Sequence, residues 1–307
     1  MAGELLVRAV VKACLTGDET LVREVCALGD LINAIRDDEE AVDVEIARGS
    51  DEWMYGRSGY LYLLRTLRHF FSAPADADLR GTLDAVINRT VARIMEDWRL
   101  NPEGDGWMWH GKTYLGAAHG VAGIVAQVVM SCRVTGAPIP TALEGIVSGL
   151  LSQQLDSGNW PPGKNELRDD LVQFCHGAPG ILISLIPIID AFPSLRQQID
   201  SAFARGRQVV EERGLLTKPP SLCHGISGNA LAFEDQEPLE RLLGYTTRGY
   251  LESNEGMYTR LRLEEVVDDR FGLFTGEGGR AWGFLVGLSV GQGNGDWWGR
   301  VVGFNDL

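Results

Sequence analysis

Apolar positions along the chain recur with the period of a helix, and nowhere with the sustained two-residue alternation of a half-buried strand. Leu83, Val86, Ile87, Val91, Ile94 and Met95 form one stripe over 83–98. Leu143, Ile146, Leu150 and Leu151 do the same over 141–155, and Ile199, Phe203 and Val210 over the otherwise charged segment 194–213. Each pattern predicts an amphipathic helix that turns one face to a core. Other segments are apolar all round. The clearest runs from Ile181 to Ile189, broken by Ser184 and Pro187, and predicts a buried helix too short to span a bilayer. Segments 1–35 read as a further pair of helices.

Glycines punctuate this pattern at intervals. Gly56 and Gly59, Gly120 and Gly123, Gly177 and Gly180, Gly225 and Gly228, and Gly276 and Gly279 each form a Gly-x-x-Gly element followed by an apolar stretch; successive second glycines are 64, 57, 48 and 51 residues apart. Such a period holds two helices and two connections, so the chain reads as a repeat of helical hairpins. The apolar helices after the glycines would pack around an axis, with the amphipathic ones covering them. Glycines at i and i+3 share one face of a first turn, and without a Cβ they let neighbouring backbone come close. Equivalent repeats would start all inner helices at one end. Their positive dipole ends would then converge in a setting suited to an anion or thiolate. Packing alone accounts for most of the glycines; the residues beside them carry the further information.

Immediately before the first glycines stand Tyr55, His119, His176, His224 and Thr275, so three of the five histidines share one repeat position. One residue earlier stand Met54, Ala118, Cys175, Cys223 and Phe274, which places two of the five cysteines there. A lone Cys or His is most often structural; two Cys-His-Gly elements at equivalent places point to a metal. Thiolate with imidazole favours zinc. Cys175, His176, Cys223 and His224 would either close a four-ligand structural site or leave one position open beside three ligands. Adjacent Cys and His on one turn point apart, which favours three. The spacing is not that of a zinc finger. Cys14, Cys26 and Cys132 lie on helical stripes and read as core.

Composition narrows the setting. Lys and Arg total 28 against 42 Asp and Glu, a net charge of −14, which opposes a nucleic-acid partner. A hydrophobic share of 45% and a charged share of 23% are those of a globular chain. The opening MAGELLVRAV lacks the features of a secretory leader, and five cysteines are too few and odd in number for a disulfide scaffold. A cytoplasmic protein without a transmembrane segment is expected.

Several long stretches resemble the lanthionine synthetase C-like family, of eukaryotic type. They are 52–62 (EWMYGRSGYLY), 114–124 (YLGAAHGVAGI), 157–162 (SGNWPP) leading to 174–181 (FCHGAPGI), and 222–230 (LCHGISGNA). The resemblance implies an all-α, double-layered α/α toroid, or barrel, of helical hairpins. It implies one domain over 1–307, with recognisable repeats over about 50–285 and an atypical partial repeat over 1–49, incomplete relative to the family's seven-repeat ring. It further implies zinc held by Cys175, Cys223 and His224, with His176 beside the metal as a non-ligand and a candidate catalytic residue. Bacterial members join a peptide cysteine to a dehydrated Ser or Thr. Eukaryotic members bind glutathione and add it to dehydroalanine or dehydrobutyrine residues in peptides or proteins.

By the same resemblance His119 matches the family's acid/base histidine, and Glu52 the position of an acidic residue that members use. Lys218 matches a contact to glutathione or phosphate. Arg168 and Arg57 are further basic candidates for substrate binding, though Asp169 and Asp170 are positioned to occupy Arg168. The chain departs from the family in its N-terminal glycine repeats and in Thr275, which stands where Glu is usual. Two other readings compete. One is a non-catalytic zinc- and glutathione-binding module that serves kinases or membranes. The other is a carbohydrate-active α/α toroid, which would need paired carboxylates where the repeats supply Cys and His.

Overall fold

Helices begin where the glycines predict them. The computed structural model of the chain describes residues 4–34, 50–101, 106–254, 271–291 and 301–304. Its α-helices are α1 Glu4–Thr16, α2 Glu19–Ala34, α3 Arg57–Phe70, α4 Ala77–Leu100, α5 Val121–Thr135, α6 Ala142–Ser152, α7 Ala178–Leu185, α8 Arg196–Arg213, α9 Ile226–Ala230, α10 Gln236–Gly244, α11 Arg248–Ser253 and α12 Glu277–Gly291. No strand occurs among the described residues. The part of the atypical N-terminal repeat that falls in 35–49 lies outside them.

The Gly-x-x-Gly elements form the first turns of α3, α5, α7, α9 and α12. A Cβ on Gly180 would stand 1.9 Å from the Phe174 carbonyl oxygen, one on Gly228 1.9 Å from Leu222 O, and one on Gly279 2.3 Å from Leu273 O. The first glycines repeat the relation, with Gly56 against Ser50 O at 2.5 Å, Gly177 against Leu171 O at 2.2 Å and Gly225 against Pro219 O at 2.3 Å. In all six cases the carbonyl lies six residues upstream. The loop before each helix therefore folds back onto the helix start, and only a residue without a side chain leaves it room. Gly177 has a second reason, a φ of +111° that other residues rarely adopt.

The described residues fall into two compact units. The first comprises the chain up to Tyr114 together with His119–Ile146. Here α3 is buried from Arg57 to Arg65, and α5 from Val121 to Cys132, as expected of inner helices. Helix α4 covers them with one stripe, and Leu83, Val86, Ile87, Val91, Ile94 and Met95 are all buried on it. Each such side chain contributes about 1.5–3 kcal/mol on leaving water. Arg65 is buried too, but donates to the Gln127 side chain at 2.8 Å and to Ser131 Oγ at 2.9 Å, so its charge is solvated internally.

The second unit comprises Leu115–Ala118 and the chain from Val147 on. Helix α7 is buried along its whole length. The apolar run that contains it does not continue as one helix. It passes into a 3₁₀ segment, Ile186–Ala191, because Pro187 has no N–H to donate. The amphipathic α8 buries Ile199, Phe203 and Val210 as its period requires. Helix α9 is only five residues long, although it begins with the same glycine element as its longer counterparts.

Candidate functional site

In the second unit the loops before α7, α9 and α12 are tied to one another. The N–H of Cys175 donates to the Cys223 carbonyl at 3.1 Å, and the N–H of Cys223 to the Phe274 carbonyl at 2.8 Å. Cys175, Cys223 and Phe274 occupy the same repeat position, so the backbone itself brings equivalent residues side by side. Gly116 closes the stack from another direction, with a Cβ there standing 2.1 Å from the Cys175 carbonyl oxygen.

The ladder places the ligand atoms of Cys175, Cys223 and His224 within 4.8 Å of one another. A tetrahedral ion at ~2.3 Å from sulfur and ~2.0 Å from nitrogen spaces its ligands by roughly 3.5–3.8 Å, so two sulfurs and an imidazole at this separation fit zinc in spacing and in chemistry. The Cys223 thiol is pushed well above the usual thiol range, first by its hydrogen bond with Cys175 and then by burial; Lys218 opposes the shift. Burial pushes the His224 imidazole down, and Lys218 pushes it further. The set thus rests as a protonated Cys223 thiol and a neutral imidazole, and an ion entering it displaces thiol protons. His176 lies outside the three-ligand group, and its backbone carbonyl accepts from Gln173 N–H at 3.1 Å.

Two side chains support this loop that sequence reasoning did not single out. Asn159, inside the SGNWPP stretch, accepts the Ala178 N–H at 2.8 Å and donates to the Leu171 carbonyl at 3.0 Å, which fixes the start of α7. Gln173 donates to Cys175 Sγ at 2.9 Å and accepts from Lys218 Nζ at 2.7 Å. A signal for Asn159 existed in its motif. Gln173 had none, because one polar residue beside Phe174 looks like any loop residue.

The first unit holds a different arrangement. Glu52, 1% exposed, accepts the backbone N–H groups of Met54 and Tyr55, and its Oε2 lies 2.6 Å from His119 Nδ1. With the carboxylate as acceptor, Nδ1 is the donor, which leaves Nε2 for other partners. The Trp109 ring lies parallel to His119 at 5.5 Å between centroids, and Tyr55 does so at 6.1 Å. Tyr114 adds a tilted contact at 6.4 Å. Trp109 is presented by a tight turn whose bridge joins it to Lys112. No periodic signal marks this aromatic cluster, since Trp109 lies between repeats.

The remaining basic candidates lie elsewhere. Arg57 is not on an open face. It is 1% exposed, donates to Asp51 at 2.9 Å, Asp97 at 3.1 Å and the Ile32 carbonyl at 3.2 Å, and so pins the loop that carries Glu52. Arg168 is exposed and engaged with Asp170, as its neighbours suggested. Lys218 alone of the three basic candidates acts on the thiol group, through Gln173 and through its field on Cys223 and His224. Burial raises the thiols of Cys26 and Cys132 to about 11, which marks them as inert core residues.

A family model for lanthionine synthetase C-like proteins matches residues 2–289. The chain belongs to the lanthionine synthetase C-like family. It is 32% identical over 186 residues to a Danio rerio protein named glutathione S-transferase LANCL1, a match covering 60% of this chain and 45% of that one. It is 28% identical over 236 residues to LanC-like protein GCL1 of Arabidopsis thaliana, covering 68% of this chain and 52% of that one. The chain thus spans about half the length of these curated relatives. Among solved structures, nisin cyclase superposes with a TM-score of 0.51 at 19% identity, over 94% of this chain and 72% of that one. The likeness shows the shared fold, an all-α α/α toroid.

Proposed function

We propose that the chain adds a thiol, glutathione in the first instance, to dehydroalanine or dehydrobutyrine residues of peptides or proteins. The observation that carries this reading is the convergence of Cys175, Cys223 and His224 donor atoms within 4.8 Å. A relative named as a glutathione S-transferase supports the choice of thiol. The three residues would hold zinc, which when bound lowers the pKa of a thiol that joins it so that thiolate is available near neutral pH.

The chain's own residues do the rest. Lys218 offers its charge to an anionic tripeptide. In the addition a C–S bond forms at the β-carbon, the π electrons move toward the carbonyl oxygen, and the α-carbon takes up a proton. The thiol gives up one proton on becoming thiolate and the α-carbon takes up one, so the addition is balanced. We assign the delivery to Nε2 of His119 in its imidazolium form, which regains its proton through solvent from the one the thiol releases, with Glu52 holding Nδ1 and stabilising the imidazolium. His176 neighbours the ligands and is assigned no bond to the ion. Cytoplasmic location suits the five free cysteines and the reduced thiol substrate. No described helix is long and apolar enough to cross a membrane.

The test is incubation of zinc-loaded protein with glutathione and a dehydroalanine peptide, followed by mass spectrometry. A mass increase equal to one glutathione is expected. Saturable glutathione binding with no adduct would replace this reading with that of a binding module.

A further inference from the structure

The three donors differ in what surrounds them, and the difference centres on Gln173. Its side chain is 6% exposed. Lys218 Nζ donates to Oε1 at 2.7 Å, and Nε2 donates to Cys175 Sγ at 2.9 Å. An ammonium has no lone pair, so the amide oxygen has to face Lys218, and the NH₂ then has to face the sulfur. The backbone of Gln173 is held as well, since its N–H donates to the His176 carbonyl at 3.1 Å. On the same strand of loop, the preceding Val172 carbonyl accepts from the buried Asn229 side chain at 2.9 Å. The amide therefore sits in a fixed position, oriented at one end by a cation and aimed at the other toward a ligand sulfur.

We infer that Gln173 is a positioning residue for the metal site: its amide, oriented by Lys218, holds the Cys175 sulfur in its ligand position and withdraws charge from it. The inference rests on the zinc reading given above. A hydrogen bond to a thiolate stabilises its charge, which favours the deprotonated, ligating form, and makes that sulfur a poorer nucleophile. Cys175 is thereby marked as a permanent protein ligand and kept distinct from any substrate thiol. The same bond fixes the side-chain rotamer, so the ligand set is organised before the ion arrives. Groups of this kind typically change metal affinity by about 10- to 100-fold when removed. Lys218 then has two duties: it presents charge to substrate and sets the direction of the amide.

The experiment measures cobalt(II) binding to the full chain by competition with a chromogenic chelator, and records the thiolate-to-cobalt charge-transfer band. Wild type is compared with Gln173→Leu and Gln173→Glu. The Glu variant keeps the size of the side chain and a partner for Lys218 but cannot donate to sulfur, so it remains informative if the Leu variant fails to fold. Both variants are expected to bind cobalt about 10- to 100-fold more weakly, with a shifted charge-transfer band that a general loosening of the loop would not produce. Cobalt affinity and band both unchanged in Gln173→Glu would overturn the role of Gln173 while leaving the metal site standing. Wild type without any thiolate-to-cobalt band would overturn the metal reading itself and this inference with it.

Discussion

The Glu52–His119 pair and the Cys175–Cys223–His224 group handle charge in opposite ways. Around Glu52 the protein itself supplies every partner. Two backbone N–H groups and an imidazole meet the carboxylate, and two parallel rings lie beside the imidazole. The thiol group is unfinished by comparison. The Cys223 thiol is driven above its usual range, and the sulfurs lie close enough to share a hydrogen bond. Under the proposed zinc reading an ion would replace their protons. One region is organised by its own hydrogen bonds; the other, on the zinc reading, is completed by what it binds. Mutations should therefore separate them cleanly.

The largest effect belongs to the ligands. Cys175→Ala or Cys223→Ala should reduce zinc content from about one per chain to a small fraction, because structural zinc in small domains contributes on the order of 10 kcal/mol through a full ligand set. Metal analysis of purified protein checks this. Retention of full zinc by either variant would break the contrast. Next is Arg57→Met, which takes the guanidinium away from the buried Asp51 and leaves Asp97 to Arg93. A cost of about 3–5 kcal/mol is expected from removing one partner of a buried ion pair, read as a lowered denaturation midpoint with zinc content unchanged.

His119→Ala should lower the rate of adduct formation by about 10²- to 10⁴-fold, the usual contribution of a general acid, again with zinc retained. If zinc were lost as well, the two regions would not be separable. A smaller effect concerns pH. Because the ion has to displace thiol protons while burial already holds His224 neutral, metal affinity should fall as pH is lowered, by roughly tenfold per unit for each proton displaced. Competition titrations between about pH 6 and 8 give the slope. Last, Arg168→Ala removes an exposed pair with Asp170 and should leave glutathione binding unchanged in calorimetry. A clear loss of affinity would restore it as a substrate contact.

Much of this was legible because repetition is visible in a sequence. The five glycine elements located the helix starts, and Cys175-His176 and Cys223-His224 stood out by sharing one repeat position. The stripe on α4 named its buried residues correctly; on α6 it missed by one, since Val147 is buried where Ile146 was expected. What stayed hidden depends on partners distant in sequence. Arg57 looks like a surface cation in a Gly-Arg-Ser-Gly turn, and only the approach of Asp51, Asp97 and Ile32 makes it a buried anchor. Gln173 and Trp109 carry no periodic mark, and their roles arise from Lys218, Cys175 and His119 meeting them in space. The break at Pro187 was written in the sequence, and the all-apolar pattern around it masked the missing donor.

At Gly56, Gly177, Gly180, Gly225, Gly228 and Gly279 the carbonyl of the sixth residue upstream meets the glycine, whereas the spacing between repeats ranges from 48 to 64 residues. Length variation is therefore confined to the stretches outside that six-residue clasp. Insertions among the outer connections should be absorbed without moving a ligand, but a single residue added between Leu222 and Gly228 would unfasten the loop that carries Cys223 and His224.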